Sequence, residues 1–247
     1  MNAVFYNHLG LGDHFIHSSA IRKISNINLF EEVCILTKEK DLRVLNQLYS
    51  DIPNIKFIIC NYHHEALNYV NNYNGEKYSC WWYDHQLDDE YQYEDIAYKA
   101  LNLNPKVRYE WFKVNRNKIK EDEVYNEIIK DNQKYIFVAD DNSRGYGFNE
   151  SFVLDGRDYK IIKSDNYPQY TPLDLLKVIE NSEEIHCMYS SFFFLCDQYS
   201  GIDNNKLPKI ILHESYINKI GVKTIDNPPD EYRNLKKVLN KRNIKFI

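Results

Sequence analysis

The sequence predicts an α/β protein of two lobes, each built on a parallel sheet. Three observations predict it. Short apolar runs alternate with segments of helical periodicity over residues 1–117, and the alternation starts again over 134–247. Each series opens with a strand that runs directly into a polar or glycine-bearing turn. A charged amphipathic stretch, residues 118–133, lies between them and is expected to be a surface connector. Alternation of this kind is the mark of a parallel sheet, because each crossover must return the chain to the same edge.

The first lobe begins with a short buried strand, Ala3–Tyr6, and the turn Gly10-Leu11-Gly12-Asp13. Phe15, Ile16, Ala20, Ile21 and Ile24 then recur at helical spacing. Glu32–Thr37 and Ile55–Cys60 predict two further strands, with helices over Asp41–Tyr49 and His64–Asn72. Trp81–Gln86 reads as a strand end or a loop, and an acidic stretch, Asp88–Asp95, leads into a helix reaching Ala100-Leu101. Pro105 marks a break, after which Val107–Val114 reads as extended. A helix over Glu121–Lys130 closes the series. In the second lobe strands are expected at Tyr135–Ala139, Tyr159–Lys163, Glu184–Met188 and Lys209–His213. Helices are expected from Pro172, over Ser190–Tyr199, and over Asp230–Arg242 after Pro228-Pro229, the last a candidate to pack back on the first lobe.

Composition narrows the function. A chain of 247 residues suffices for two small α/β domains. The net charge is −5 and no basic block occurs, which argues against a nucleic-acid binder. Aromatics reach 15%, with 21 Tyr, and this has two readings: coding bias, given the Asn, Lys and Ile content, or recognition of sugar faces. Cys34, Cys60, Cys80, Cys187 and Cys196 are odd in number, form no CxxC pair and sit mostly in apolar runs. They read as reduced structural thiols of a cytoplasmic protein. No apolar run has the length of a membrane span, and the N-terminus enters a strand–turn pattern without a leader.

Two motifs carry chemistry. In the first, Gly10 and Gly12 follow the first strand, where a tight turn needs residues that tolerate positive φ and close approach. The helix that follows turns its unsatisfied N–H groups toward the ligand edge of the sheet. Asp13 is either the N-cap of that helix or a general base at the carboxyl end of the sheet. Phe15 stands where a dinucleotide fingerprint needs a small residue, which disfavours a nicotinamide cofactor. His8, His14 and His17 cluster here and read as site-lining or surface histidines before they read as metal ligands.

In the second motif, Tyr189-Ser190-Ser191 follows a strand and opens a helix. Hydroxyls and N–H groups at such a junction form a phosphate cradle, or simply cap the helix. The loop Asp140–Gly147 follows the first strand of the same lobe and carries Arg144, a residue type that clamps a diphosphate. Neither a GxxxxGKS loop nor a GxSxG elbow occurs, which argues against a P-loop NTPase and an α/β-hydrolase.

Together these residues resemble the GT-B glycosyltransferases, in particular the heptosyltransferase-like (ADP-heptose transferase) group. That group opens with a strand, a Gly-Leu-Gly-Asp turn and a helix, which Gly10–Asp13 match. Its second lobe carries Asp-Ser-Gly-Pro-x-His-Leu-Ala after a strand. Here Ser190 and Leu195 match and Cys196 keeps a small residue, whereas Tyr189, Ser191, Phe192 and Phe194 depart. The resemblance implies two Rossmann-like lobes with a cleft between them, a nucleotide-sugar donor, a glycan or glycolipid acceptor, and no cofactor or metal. It implies Asp13 as the base, with Gly10, Gly12, Arg144, Tyr189, Ser190 and Ser191 on the donor diphosphate. His14, Trp82, Asp84 and His85 are the candidate acceptor contacts, the aromatic–acidic stretch from Trp81 reading otherwise as ordinary packing. The alternatives are a non-catalytic glycan- or nucleotide-binding remnant of the fold, a nucleotide-sugar epimerase, and a structural protein that keeps only the architecture.

Overall fold

The computed structural model describes residues 1–7, 9–80, 93–140, 146–147, 153–154, 156–202, 207–213, 217–218 and 245–246. The chain divides into two compact units. The first is Met1–Asn115 with Asp197–Asn205, and the second is Arg116–Cys196 with Lys206–Ile247.

The first unit is a four-stranded sheet, β1 (Asn2–Tyr6), β2 (Glu32–Thr37), β3 (Ile55–Ile59) and β4 (Glu76–Ser79), in the order β3-β2-β1-β4. Every pairing is parallel. Helices α1 (Leu11–Asn28), α2 (Leu42–Leu48) and α3 (His63–Asn72) make the crossovers, and α4 (Tyr93–Ala100) and α5 (Val107–Glu110) follow β4. Both faces of β1 and β2 are buried, as a parallel sheet under helices requires. On one face Val4, Tyr6, Cys34 and Leu36 pack with Ala66, Tyr69 and Val70 of α3. On the other, α1 is held by Tyr98 Oη donating to the Ile16 carbonyl at 2.6 Å and Ser19 Oγ donating to that of Arg108 at 2.8 Å.

Two elements differ from the sequence reading. β4 has no apolar run and is missed. It forms because Phe5 stacks on Tyr78 at 4.8 Å, and because Gly75 admits the Asn2 carbonyl to 2.6 Å of where a Cβ would stand. Residues 107–110, read as extended, are a helical turn. Asn104 Oδ1 accepts from the Lys106 N–H at 3.0 Å, and Pro105 starts the turn rather than ending structure.

The second unit holds a five-stranded parallel sheet of β5 (Tyr135–Ala139), β7 (Lys160–Lys163), β8 (Glu184–Cys187), β9 (Lys209–Leu212) and β11 (Lys245–Phe246), ordered β11-β9-β8-β5-β7. The short strands β6 (Tyr146–Gly147) and β10 (Ile217–Asn218) pair antiparallel beside it. Its helices are α6 (Lys118–Ile128), α7 (Leu176–Glu180) and α8 (Ser191–Ser200), whose last residues belong to the first unit. Thr171 and Asp174 form a reciprocal cap around Pro172, which sets the turn that leads into α7.

Most of the stretch 118–133 is exposed, and α6 groups with the second unit. Glu121 is fully buried and accepts from Arg116 Nε at 2.9 and 3.0 Å, and Arg116 Nη2 also donates to Glu180 at 2.8 Å. Lys177 Nζ donates to Asp122 at 2.7 Å. Charges that read as a polar outer face are the residues that tie α6 to α7. None of the five cysteines is in a disulfide, and all five are buried. Among the described residues no helix is long and apolar enough to cross a membrane. The expected helix 230–242 lies outside the described residues.

Candidate active site

Open α/β sheets bind ligands at the carboxyl ends of the strands, where the strand order reverses. In the first sheet the chain lays β2 and β3 to one side of β1 and then crosses to lay β4 on the other. The segment 7–13 leaves β1 at this reversal. Asn7 Oδ1 accepts from the Leu9 N–H at 2.9 Å, and its Nδ2 donates to His14 Nδ1 at 3.1 Å. The first bond orients the amide, so the second leaves the neutral His14 ring with its proton on Nε2. Leu9 is held at φ 60, in the left-handed region. Gly10 then caps α1 at φ −87 and ψ 144, without a side-chain bond.

Two expectations change here. The positive φ falls on Leu9 and not on Gly10, because Asn7 clamps the loop one residue earlier. Asp13 is not the N-cap: it stands in the first turn, where the helix end favours a carboxylate by ~0.3–1 kcal/mol. His14 is fully enclosed, and its ring accepts from Asn7 and supports the turn. Burial pushes its pKa down to about 3, against the attraction of Asp13, and burial takes His17 down to about 4. Both rings are neutral at pH 7. His14 Nε2 and His17 Nδ1 have no hydrogen-bond partner among the described residues. At the end of β4, burial likewise raises the Cys80 thiol to about 12. His8, Trp82, Asp84 and His85 lie outside the described residues. Among those described, no three His, Cys, Asp or Glu side chains gather as a metal site would.

In the second sheet the chain places β7 on one side of β5 and then β8 on the other, so order reverses between β5 and β8. Asp140 follows β5, buried, with Lys163 Nζ at 4.0 Å. Residues 188–191 follow β8. The Ser190 carbonyl accepts from the Phe194 N–H at 3.1 Å, which puts Ser190 at the cap of α8. Its hydroxyl does not perform the capping role: Oγ has no hydrogen-bond partner among the described residues. Ser191 is half-buried at the first turn. Tyr189, expected on the diphosphate, is buried with its ring against Phe194 at 4.6 Å and Phe193 at 5.5 Å. Those ring contacts pack the residue at the start of α8. Arg144 lies outside the described residues.

Sequence reasoning missed Asn7, and it missed a hydrogen-bonded chain in the second unit that runs from part-buried residues to two buried histidines. Arg157 donates to Glu184 at 2.8 Å, Glu184 lies 3.2 Å from His186 Nε2, and His186 Nδ1 lies 2.8 Å from His213 Nε2. With Glu184 accepting, neutral rings place the shared proton on His213 Nε2. Burial lowers the pKa of His186 and takes that of His213 down to about 4. The period-two spacing of Glu184 and His186 on one strand is the signal that could have found part of this chain.

No protein-family model and no curated protein sequence matches the chain. Among solved structures it is similar to a glycosyl transferase family 9 protein from Veillonella parvula. The identity is 11%, the TM-score 0.54, and the match covers 85% of this chain and 80% of that one. It is also similar to the ADP-heptose LPS heptosyltransferase II of E. coli, at 8% identity and TM-score 0.50, over 98% and 99% of the two chains. The fold is therefore that of the heptosyltransferase-like GT-B glycosyltransferases, two parallel-sheet α/β units in one chain.

Proposed function

We propose that the protein is a glycosyltransferase that moves a sugar from a nucleotide-sugar donor to a hydroxyl of a glycan or glycolipid acceptor, with inversion and without a metal. One observation carries the reading. In each parallel sheet, residues singled out from sequence fall at the carboxyl ends of the strands between which strand order reverses. The E. coli neighbour is by name an ADP-heptose LPS heptosyltransferase, which supports a nucleotide-diphosphate sugar as donor.

The acceptor is assigned to the first unit and the donor to the second. Asp13, as carboxylate, takes the proton of the acceptor hydroxyl as its oxygen bonds to the anomeric carbon. The bond from that carbon to the diphosphate oxygen breaks, and the electron pair leaves on the diphosphate. A single displacement of this kind inverts the centre. The N–H groups at the start of α8, with Ser190 and Ser191, receive the developing charge, and Arg144 adds a bidentate cation. Trp82, Asp84 and His85 hold the acceptor.

The test is a thermal-shift panel of ADP, GDP, UDP and CDP on wild type and Asp13→Asn, followed by transfer assays with the nucleotide sugars of the base that binds. One nucleotide is expected to stabilise both proteins, by about 2.7 kcal/mol at a hundred times its Kd. Transfer by Asp13→Asn should fall ~10²–10⁴-fold with binding kept. If no nucleotide stabilises the wild type, the donor assignment fails. A binding protein of the same fold without transfer is the second reading, favoured by the burial of Asp13, 8% exposed. Nucleotide binding by a wild type that turns over no acceptor would select it.

A further inference from the structure

The first unit contains a cavity of about 780 Å³ at the end of its sheet opposite the candidate site. Its walls come from the last turns of α1 (Arg22, Ser25, Asn26, Leu29), from residues 51–54 before β3, and from residues 110–113 after α5. Phe30 and Asn54 precede β2 and β3, so the cavity opens at the amino ends of these strands. Position 13 and the loop 7–10 stand at the carboxyl ends. The volume lies within the ~300–1,000 Å³ of small-molecule sites.

We propose that this cavity binds a neutral saccharide. Charge comes first. The lining holds two cations, Arg22 and Lys113, and two carboxylates, Asp51 and Glu110. Both cations are committed to Asp51, Arg22 through Nη1 at 3.0 Å and Lys113 through Nζ at 2.7 Å. This leaves the lining itself balanced in charge, with both of its cations paired, while Lys23 stands outside the lining over the Trp111 ring. Hydrogen-bonding capacity comes second. Ser25 Oγ and Arg22 Nε have no partner among the described residues, and the side chain of Asn26 is exposed. Apolar faces come third. Trp111 and Phe30 line the same space, and Lys23 sits 4.6 Å from the centre of the Trp111 ring, which fixes that ring in place. Aromatic faces, amide and hydroxyl groups, and no net charge match a ligand with C–H faces and many hydroxyls.

Leu29 gives an independent indication of function. It ends α1 at φ 50 and ψ 49, a left-handed conformation that glycine takes freely and a leucine takes with strain. It is 82% exposed at the rim of the cavity. A strained and exposed apolar side chain costs stability, and such outliers concentrate at ligand sites.

The proposal is independent of the transfer reaction, because its readout is binding at Trp111. The full-length protein with ¹⁵N-labelled tryptophan is titrated with glucose, galactose, mannose, N-acetylglucosamine, maltose and lactose, to about 10 mM for weak affinity. Inorganic phosphate and glucuronic acid serve as charged probes. Trp111→Phe assigns the indole resonance, which separates it from those of Trp81 and Trp82. At least one neutral sugar is expected to shift the Trp111 signal. Asn26→Ala should weaken that binding about fivefold, the loss of one hydrogen bond. Leu29→Gly should weaken it while keeping or raising Tm, which a purely structural leucine would not do. Asp13→Asn should leave it unchanged. A Trp111 signal moved by no neutral sugar, moved only by phosphate or glucuronate, or unmoved while Trp81 or Trp82 shifts, overturns the proposal. Failure of the nucleotide panel leaves this outcome untouched, so the two readings fail separately.

Discussion

An uncharged amide shapes the turn on which Asp13 is presented. Asn7 satisfies the Leu9 N–H and the His14 ring together, and it does so where no water replaces either partner, since both it and His14 are buried. The histidines beneath the turn give the protein a pH dependence of definite sign. His14, His17 and His213 have folded-state pKa values of about 3, 4 and 4, all below the ordinary 6.5. As pH falls below about 6.5 the unfolded chain takes up protons first, so folding stability is complete above that value and is lost toward pH 4 and below. Each ring contributes a slope of about 1.4 kcal/mol per pH unit inside this window. Urea unfolding midpoints should therefore fall steadily from pH 6.5 to about 4.5, and His17→Gln should flatten the slope, since it removes one of the four histidines whose pKa burial lowers. A wild-type midpoint that stays level across this range would mean that the rings are hydrated in the folded state. Asp13 was legible in the sequence because Gly10 and Gly12 mark a turn straight after a strand. Asn7 was not, because its partners, a backbone group two residues on and a ring seven residues on, leave no periodic trace.

Elements were legible where burial sets the pattern. β2 and β5 match their expected bounds because all but the first position of β2 and every position of β5 are buried. β4 fails that test. Its residues Glu76–Ser79 carry no apolar run, and the sheet recruits them through Tyr78 and the space at Gly75. Glu121 of α6 was illegible for a related reason: a Glu counts as surface in any pattern of polarity, yet Glu121 is enclosed and paired. Glu121→Ala should cost about 3 kcal/mol in urea unfolding, because it strips a partner from Arg116. The exposed pair Lys120–Glu123, at 3.2 Å in the same helix, should cost less than about 0.5 kcal/mol when either residue is replaced by Ala. The double variant Arg116→Met, Glu121→Leu should recover much of the first loss, since an apolar pair of similar size needs no compensating charge. Equal losses for the buried and the exposed pair would show that α6 is held by its apolar contacts alone.

At the scale of the chain, the first unit is not contiguous. It takes back Asp197–Asn205 after the chain has passed through most of the second unit. Within the first unit Arg108, 1% exposed, lies 3.4 Å from Asp95 and 3.7 Å from Asp197, and its Nη2 donates to Tyr109 Oη at 2.6 Å. Tyr109 Oη in turn donates to Asp197 at 3.2 Å, and its ring fills the space over Gly201. A fragment of residues 1–115 should therefore unfold at markedly lower urea than the full chain, and Asp197→Asn should reproduce part of that loss in the intact protein, by about 1–3 kcal/mol. A fragment as stable as the whole would mean that the buried arginine is satisfied without its distant partner. The same arrangement has a consequence in time. The 88 residues between Tyr109 and Asp197 are made at ~5–20 residues per second, so on the ribosome the guanidinium of Arg108 waits roughly 4–18 s for its second carboxylate. The first half of this protein is synthesised early and finished late, and in that interval the nascent chain is most exposed to chaperones and proteases.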